Sequence, residues 1–269
     1  LYLIYLISIK KKVVYNHSVM NKAKKVIVLN KKEGETPLQA LEHFRAKHKE
    51  YKDLLMTYAG RLDPMASGVL LILAGDEVKN KEKYLKLDKE YEFEVLFGFA
   101  TDTFDILGKI LKKENIVRQG LTIGLKKEIL KNLRFFIGDI IQKYPIFSSK
   151  TVKGKPLFEY GREGVSVMLP ENKVKVKSLK FLGLKSVGTK KLLENIERRI
   201  KKVKGDFRQK EILNIWNKEL SKNKDKYFIA NFKIRCSSGT YVRSIANDLG
   251  KNINLPALAF KIKRTRIYI

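Results

Sequence analysis

The stretch from Tyr58 to Gly68 holds the residues best suited to chemistry, because its turn-forming residues surround one carboxylate. It reads Tyr-Ala-Gly-Arg-Leu-Asp-Pro-Met-Ala-Ser-Gly and is followed at once by the apolar run 69–75. Asp63 stands before Pro64, and a residue in that position is biased towards an extended or turn conformation. A carboxylate held next to a buried element can act as a nucleophile or a general base. The alternative is an Asx-turn aspartate that only shapes the loop.

The charge of the chain favours a polyanionic partner. Its 269 residues include 57 Lys and Arg but only 28 Asp and Glu, which gives a formal net charge of +29. Each phosphate neutralised by Lys or Arg releases condensed counterions, so such a chain is suited to nucleic acid. A solvated basic surface is the alternative. Hydrophobic residues make up 44% of the chain, enough for a sizeable core and against disorder.

The sequence gives no sign of a metal or cofactor. A single cysteine, Cys236, excludes an intrachain disulfide framework and a site of several cysteines, and three histidines make a zinc site difficult. No phosphate-binding G-x-x-x-x-G-K-[ST], no G-x-G-x-x-G after a strand and no H-E-x-x-H occurs. An enzyme with this sequence is therefore expected to work with side chains alone and no cofactor. The low cysteine content makes the cytoplasm the default location.

Hydrophobic patterning predicts the elements that must position Asp63. A strand is expected at 26–29, and Thr36, Pro37 and Gln39 have the types and spacing of a helix start with a capping box. Strict alternation predicts strands at 91–99 and 228–236. Alternating strands dominate among intermixed helices, so we expect an α+β fold with a mixed or mostly antiparallel sheet and flanking helices.

Further patterns concern the basic segments of the chain. Val174 and Val176 alternate with lysines, which predicts a strand with a basic outer face. Residues 190–204 are expected to form a basic amphipathic helix with the apolar stripe Leu192, Leu193, Ile196, Ile200 and Val203. Its charged face is either solvated or in contact with RNA.

We expect one catalytic domain over residues 20–269 with a basic insertion at about 120–170. Residues 1–19 are interpreted as an extension without an assigned role, and a native start at Met20 is the alternative. Their apolar run is about half the length that spans a bilayer, and its lysines follow it rather than precede it as in a signal peptide. No later segment has the pattern of a membrane span, so no membrane association is expected.

The chain resembles the TruB family of tRNA pseudouridine synthases in several collinear blocks. Residues 60–68 match the active-site pattern G-x-L-D-P-x-A-x-G, and 88–91 match D-K-x-Y. Residues 98–108 match G-x-x-T-D-T-x-D-x-x-G, and 236–250 match C-S-x-G-T-Y-x-R-S-x-A-x-D-L-G. Weaker matches are the Lys, Gly and Thr of the loop 31–37, the stretch 144–164, and Ile262-Lys-Arg-Thr where the family has L-R-R-T.

The resemblance implies conversion of a uridine to pseudouridine, at the T-loop position 55 of tRNA. It assigns the catalytic carboxylate to Asp63, which would act as a nucleophile, with removal of a sugar proton as the alternative. The flipped base would pack on Tyr91. It pairs Arg243 with Asp63, where contact with a phosphate is the alternative role for the arginine. The remaining implied site residues are an apolar pocket wall, a loop lysine and a tyrosine packed beneath the site: Ile262, Lys31 and Tyr241. Asp102 and Asp105 are expected to fix the neighbouring loop.

The sequence departs from the family pattern before and after the active-site block. Tyr58 stands where the family has a histidine; it can stack on a base but cannot take a proton near neutral pH. Thr151 and Phe158 replace a usual lysine and tyrosine. The chain ends at Ile269, so we expect it to lack the C-terminal PUA RNA-binding domain of many relatives.

The basic residues near the matching blocks are predicted to grip the tRNA T-arm and elbow, chiefly Lys150, Lys153 and Arg162. The expected protein is a monomeric tRNA pseudouridine synthase. Two alternatives stay open: the same chemistry on another RNA uridine, or a non-catalytic chaperone that folds tRNA. Retention of Asp63, Tyr91 and Arg243 argues against the chaperone, because folding alone would not require these three residues.

Overall fold

A computed structural model describes residues 24–114, 121–221 and 225–269. The extension predicted at 1–19 lies outside these residues. The strands are β1 Val26–Lys31, β2 Met56–Ala59, β3 Ala66–Ala74, β4 Lys89–Phe97, β5 Phe99–Thr101, β6 Ile110–Lys113, β7 Gly138–Lys143, β8 Thr151–Val152, β9 Lys155–Pro156, β10 Glu171–Gly188, β11 Lys226–Cys236 and β12 Ala257–Ile267. The helices are α1 Pro37–Lys47, α2 Lys81–Leu85, α3 Leu121–Asn132, α4 Leu157–Glu163, α5 Thr189–Ile200, α6 Gln209–Leu220 and α7 Val242–Asn252.

Within the described residues, eight strands form one sheet in the order β1-β3-β12-β4-β11-β10-β7, with β2 paired to β3. Neighbouring strands are antiparallel except β3 and β12, which run parallel. The predicted α+β fold with a mixed, mostly antiparallel sheet is therefore confirmed. The strand β7 lies within the segment predicted as an insertion and forms one end of this sheet.

The start of α1 follows from three side chains. The Thr36 hydroxyl accepts a hydrogen bond from the backbone N–H of Gln39 at 3.2 Å, and the Gln39 side chain accepts one from the Thr36 N–H at 2.8 Å. This confirms the predicted capping box with Pro37 in the first turn. Leu41 lies on the buried face of the helix, whereas Leu38 is 56% exposed and does not belong to that face.

The central strands bury the residues that their alternation predicts. Tyr91, Phe93, Val95 and Phe97 of β4 all face the core. The predicted strand 91–99 is nevertheless interrupted, because the chain turns at Gly98, whose N–H donates to the Pro256 carbonyl at 2.7 Å. Phe99 therefore belongs to the separate short strand β5.

The C-terminal boundary predicted for the basic helix is wrong. Helix α5 ends at Ile200, and Val203 is buried in the turn that follows it. Leu192, Ile196 and Ile200 form the buried stripe as predicted. Val174 and Val176 of β10 are also buried, with exposed lysines between and around them.

The sheet places one loop against the strands next to it. The connection between β2 and β3 carries Asp63, and β3 lies beside β12, which in turn lies beside β4. Side chains from all three elements can therefore meet above the sheet. Among the described residues, none of the helices has the length and apolar character needed to cross a membrane.

Gly68→Ala is expected to destabilise the protein by about 3 kcal/mol or more, because the residue has a φ of 105° and a Cβ would lie 2.1 Å from the Arg264 carbonyl oxygen. Backbone atoms cannot move aside as a flexible side chain can. The measurement is the free energy of unfolding in urea. Gly183→Ala is the matched control, since a Cβ there meets no atom within 4 Å. Equal effects of the two changes would contradict the steric explanation.

Candidate active site

A cavity of about 1160 Å³ lies at the end of the β2–β3 loop. Five residues that the resemblance assigns to the catalytic pocket line it together: Asp63, Tyr91, Tyr241, Arg243 and Ile262. They come from four separate matching blocks of the sequence. The cavity is large enough for a nucleoside, because pockets for small ligands typically measure about 300–1,000 Å³.

Backbone hydrogen bonds hold the loop that carries Asp63. The Ala66 N–H donates to the Asp63 carbonyl at 3.0 Å, which closes a turn around Pro64. The Pro64 carbonyl accepts a hydrogen bond from the N–H of Gly34 at 2.8 Å. The Asp63 side chain remains 40% exposed towards the cavity. The loop thus presents a fixed carboxylate to any molecule that enters.

Arg243 of α7 holds that carboxylate from below. Its Nε and Nη2 donate to the two Asp63 oxygens at 2.8 and 3.2 Å. Its other bonds go to the carbonyls of Thr103 at 2.6 Å and Phe147 at 3.1 Å. Burial lowers the pKa of Arg243, but the Asp63 and Asp105 carboxylates outweigh this and raise the pKa above its ordinary value. The guanidinium therefore stays charged and keeps Asp63 oriented.

The loop behind this pair is organised by two other carboxylates. Asp105 is buried and accepts hydrogen bonds from the Thr103 hydroxyl at 2.7 Å and the Leu107 N–H at 2.9 Å. Burial raises the pKa of Asp105 to about 6, with Asp63 adding to the rise and Arg243 opposing it. Asp102 accepts from the Lys109 N–H at 2.9 Å. Both side chains are thus engaged with their own loop.

Tyr91 and Ile262 form an apolar wall of the cavity. They lie on the neighbouring strands β4 and β12, and each is only 8% exposed. Burial raises the pKa of Tyr91, so its phenol is neutral near physiological pH. The wall offers an aromatic ring and a branched aliphatic side chain to a planar ligand.

Tyr241 is the residue directly before α7, and Arg243 lies in the first turn of that helix. Its backbone N–H donates to the Gln142 side chain at 3.0 Å, and its carbonyl accepts from the same amide at 3.3 Å. Its ring meets Tyr144 edge-on with centroids 5.5 Å apart. These contacts connect the cavity floor to β7 and to the segment 144–162.

Lys31 lies beside the cavity rather than in its lining. Its ammonium donates to the carbonyls of Lys32 at 2.9 Å and Glu35 at 2.6 Å, and the residue is 1% exposed. Burial lowers the pKa of Lys31 to about 8, against the opposing attraction of Asp63, Glu35 and Glu33. The lysine therefore braces its loop and adds positive charge near Asp63.

The stability of Lys31→Met relative to the wild type is expected to be higher at pH 7 than at pH 10.5. Below pH 8 the buried ammonium carries its full burial cost, and the cost falls between pH 8 and 10.5, where the unfolded chain binds more protons than the folded one. The gap between about 8 and the ordinary 10.5 corresponds to up to about 3 kcal/mol. Urea unfolding of both proteins at the two pH values measures this difference. A stability difference that is constant with pH would contradict the lowered pKa.

Tyr58 is not part of the cavity lining. It lies on β2 and packs against a second core cluster that includes Met56, Leu70 and Ile72. Two cations flank its ring, with Arg61 at 6.0 Å and Lys81 at 5.7 Å from the centroid. The structure thus does not bring Tyr58 together with Asp63 and Tyr91.

Of the three basic residues predicted to grip RNA, only Arg162 is among the residues that line the cavity. Arg162 lines the cavity and donates to the Asp206 carbonyl at 2.8 Å. The Lys150 ammonium lies 5.4 Å from the centre of the Tyr144 ring. Lys153 is exposed at the tip of the β8–β9 hairpin. All three project from the segment 144–162.

Sequence reasoning missed Arg264 and Lys89, two basic residues that line the cavity. Arg264 is 1% exposed and donates to the carbonyls of Val69 at 2.6 Å and Gly60 at 3.0 Å, so it fastens the Asp63 loop to β12. Lys89 is buried behind the same loop. Both residues lie inside matching blocks, so the sequence contained a signal that could have identified them as site residues.

Arg208 has no such signal, because it lies outside every matching block. Its guanidinium donates to Asp102 at 2.8 Å and lies 4.4 Å from the centre of the Phe147 ring. It thereby joins the connection between α5 and α6 to the loop behind Asp63.

No group of three or more His, Cys, Asp or Glu side chains placed to hold a metal occurs in the described part of the chain.

Comparison with known proteins identifies a family match and several relatives of the chain. Residues 47–205 match the family described as TruB family pseudouridylate synthase (N terminal domain). The chain is 33% identical to tRNA pseudouridine synthase B of Lactobacillus acidophilus over 239 residues, covering 89% of this chain and 67% of the relative. It is also 33% identical to the protein of that name from Wigglesworthia glossinidia brevipalpis, over 78% of this chain and 50% of the relative.

The fold also occurs among solved structures. A chain of the crystal structure of a Cbf5-Nop10-Gar1 complex superimposes with a TM-score of 0.52 and 18% identity. The match covers 90% of this chain and 48% of that chain. At this identity the likeness concerns the fold alone.

Proposed function

The chain belongs to the TruB family of pseudouridylate synthases, and we propose that it isomerises a uridine of tRNA to pseudouridine. The observation that carries the proposal is the Asp63 carboxylate, held in a two-point contact by buried Arg243 at the mouth of a nucleoside-sized cavity. The relatives named above are tRNA pseudouridine synthases and support tRNA as the substrate.

The reaction needs no reagent beyond the RNA. The bond between N1 of the base and C1′ of the ribose breaks, the base turns, and C5 bonds to C1′. A proton leaves C5 and N1 ends with a proton, so the product is an isomer of the substrate. This balance is consistent with a site made only of amino-acid side chains.

Each cavity residue has a task in this proposal. The uridine leaves its stack and enters with its base against Tyr91 and Ile262. Asp63 then acts at the sugar as the nucleophile, and Arg243 keeps it ionised and oriented. In this proposal Tyr91 also helps the C5 proton to leave.

We further propose the T-loop uridine at position 55 as the target. RNA loops are recognised through shape, stacking and splayed bases. Phe147, Phe158 and Arg162 of the segment 144–162 line the cavity and suit such a loop. Lys150, Lys153 and Arg162 would contact its backbone. We place the catalytic domain at residues 20–269, with the basic insertion at about 120–170, acting as a monomer in the cytoplasm.

The test is incubation of the purified protein with an unmodified tRNA transcript, followed by mapping of pseudouridine along the RNA. We expect conversion at the single T-loop position. A transcript with cytidine at that position is the control and should remain unmodified. Pseudouridine at another position would show that the target is a different uridine. A transcript that is bound but never modified would exclude the enzyme function.

A further inference from the structure

Helices α5 and α6 form an element inserted into the β10–β11 hairpin. The last strand pair before them is Gly188 with Lys226. The two helices pack through Leu192, Ile196 and Trp216, and the Trp216 indole donates to the Ile106 carbonyl at 3.0 Å. The apolar faces of both helices are thus buried in the core, and the basic face of α5 is exposed.

The helix pair is fixed against the loop that carries Lys31. Arg199 of α5 is buried and binds both oxygens of Glu33, with distances from 2.7 to 3.1 Å. Gly34 packs so closely on Lys202 that a Cβ there would lie 2.6 Å from its carbonyl oxygen. The basic face of α5 therefore has a set position relative to the active site.

A second cavity of about 960 Å³ lies between α5 and the sheet. Lys261 and Lys263 of β12 line it, whereas Ile262 between them lines the first cavity. Successive side chains of a strand point to opposite faces. The second cavity therefore lies on the opposite face of the sheet from Asp63. We call it the basic groove.

Cations dominate the lining of the basic groove. Its two acidic residues are already engaged, Glu33 with Arg199 and Glu94 with Lys185 at 3.2 Å. Apart from Lys185, the exposed cations that line it have no ion pair among the described residues, and they are Lys32, Lys191, Arg198, Lys202, Lys261 and Lys263. Like charges gathered in a concave surface raise the local potential and attract a polyanion.

We propose that the basic groove binds the phosphodiester backbone of the substrate RNA, on the face of the sheet opposite the catalytic cavity. This inference rests on the proposed function, which already brings RNA to the protein. Repeated phosphates match several separate ammonium groups better than one compact anion does, and each contact releases a counterion. The RNA would be held at two places, by its uridine in the cavity and by its backbone in the groove.

The test is a groove variant in which Lys191, Arg198, Lys261 and Lys263 are all changed to Gln. The control changes Lys47, Lys49, Lys52 and Lys218 to Gln; these lysines are also exposed and unpaired among the described residues, but lie outside both cavities. Both variants lose four positive charges, so a general loss of attraction affects them equally. Thermal unfolding of the full chain checks that each variant is folded.

We expect the groove variant to bind unmodified tRNA roughly 10- to 100-fold more weakly than the control variant. The slope of log affinity against log salt should become less steep by about 3 in the groove variant only. The single-turnover rate at saturating tRNA should stay near the wild-type rate, because the groove does not contain Asp63.

Equal affinity and equal salt slopes in the two variants would overturn the groove assignment, and would leave an acidic protein as the partner to examine. Wild-type formation of pseudouridine in the same assay keeps this failure separate from failure of the proposed function. If the wild type makes no pseudouridine yet the groove variant alone loses RNA affinity, the proposed activity fails and the groove assignment stands.

Discussion

Asp63→Asn is expected to lower the rate of pseudouridine formation by roughly 10⁴-fold or more, a loss of about 5.5 kcal/mol of transition-state stabilisation. Asparagine has the shape of aspartate but neither its charge nor its nucleophilicity. The assay is single-turnover conversion of unmodified tRNA at saturating protein. Because RNA binding is measured separately, the loss can be assigned to the chemical step.

The substitution should leave the rest of the site in place. Arg243 keeps its hydrogen bonds to the carbonyls of Thr103 and Phe147, and Asp105 remains 3.9 Å from its Nε. The affinity for tRNA should stay within about 3-fold, since one partly exposed charge contributes little. Turnover within ten-fold of the wild-type rate would contradict the role of Asp63.

A second carboxylate in the same cavity supplies the control. Asp206 lines the cavity, is exposed, and accepts a hydrogen bond from the Arg208 N–H at 3.2 Å. Asp206→Asn removes the same charge from the same cavity without touching Asp63. It should retain turnover close to the wild-type rate. A comparable loss in both variants would indicate a general electrostatic effect in place of a specific carboxylate.

Features that depend on local pattern could be predicted from the sequence. Alternation in 91–97 located the inward face of β4, and the types of Thr36, Pro37 and Gln39 defined the start of α1. Both depend on contacts between residues close in the chain, where spacing decides geometry. The resemblance then named five residues that the structure gathers around one cavity, although they are far apart in sequence.

Features that depend on long-range packing could not be predicted in this way. Tyr58 lies two residues before Gly60, yet its position on β2 directs it to a core cluster and not to the cavity. Arg208 reaches Asp102 across 106 residues of chain from a left-handed backbone conformation, with φ of 61°. No motif or periodicity marks such a residue, because its role arises only when two remote segments meet.

Arg243→Lys is expected to lower the single-turnover rate by roughly 10²- to 10³-fold, with a smaller change in tRNA affinity. The guanidinium makes four hydrogen bonds in different directions, to Asp63 twice and to the carbonyls of Thr103 and Phe147. A lysine ammonium keeps the charge but cannot span these four acceptors, so Asp63 loses its fixed orientation.

The choice of lysine separates positioning from the loss of charge. Removing the cation altogether, as in Arg243→Met, would leave Asp63 without its partner and buried Asp105 without a nearby cation, at about 3–5 kcal/mol of stability. Arg243→Lys should unfold at a lower denaturant concentration than wild type but remain folded in the assay. Arg266→Lys is the control, because Arg266 is exposed on β12 and outside the cavity.

The pattern of kinetic change decides between the two roles that the sequence leaves open for Arg243. A residue that orients Asp63 acts on the rate at saturating tRNA, whereas a residue that contacts a phosphate acts mainly on affinity and its dependence on salt. The side chain is 4% exposed and each of its three nitrogens donates to an acceptor within the protein, which favours orientation. A variant with a normal saturating rate and a reduced salt slope would instead establish the phosphate contact.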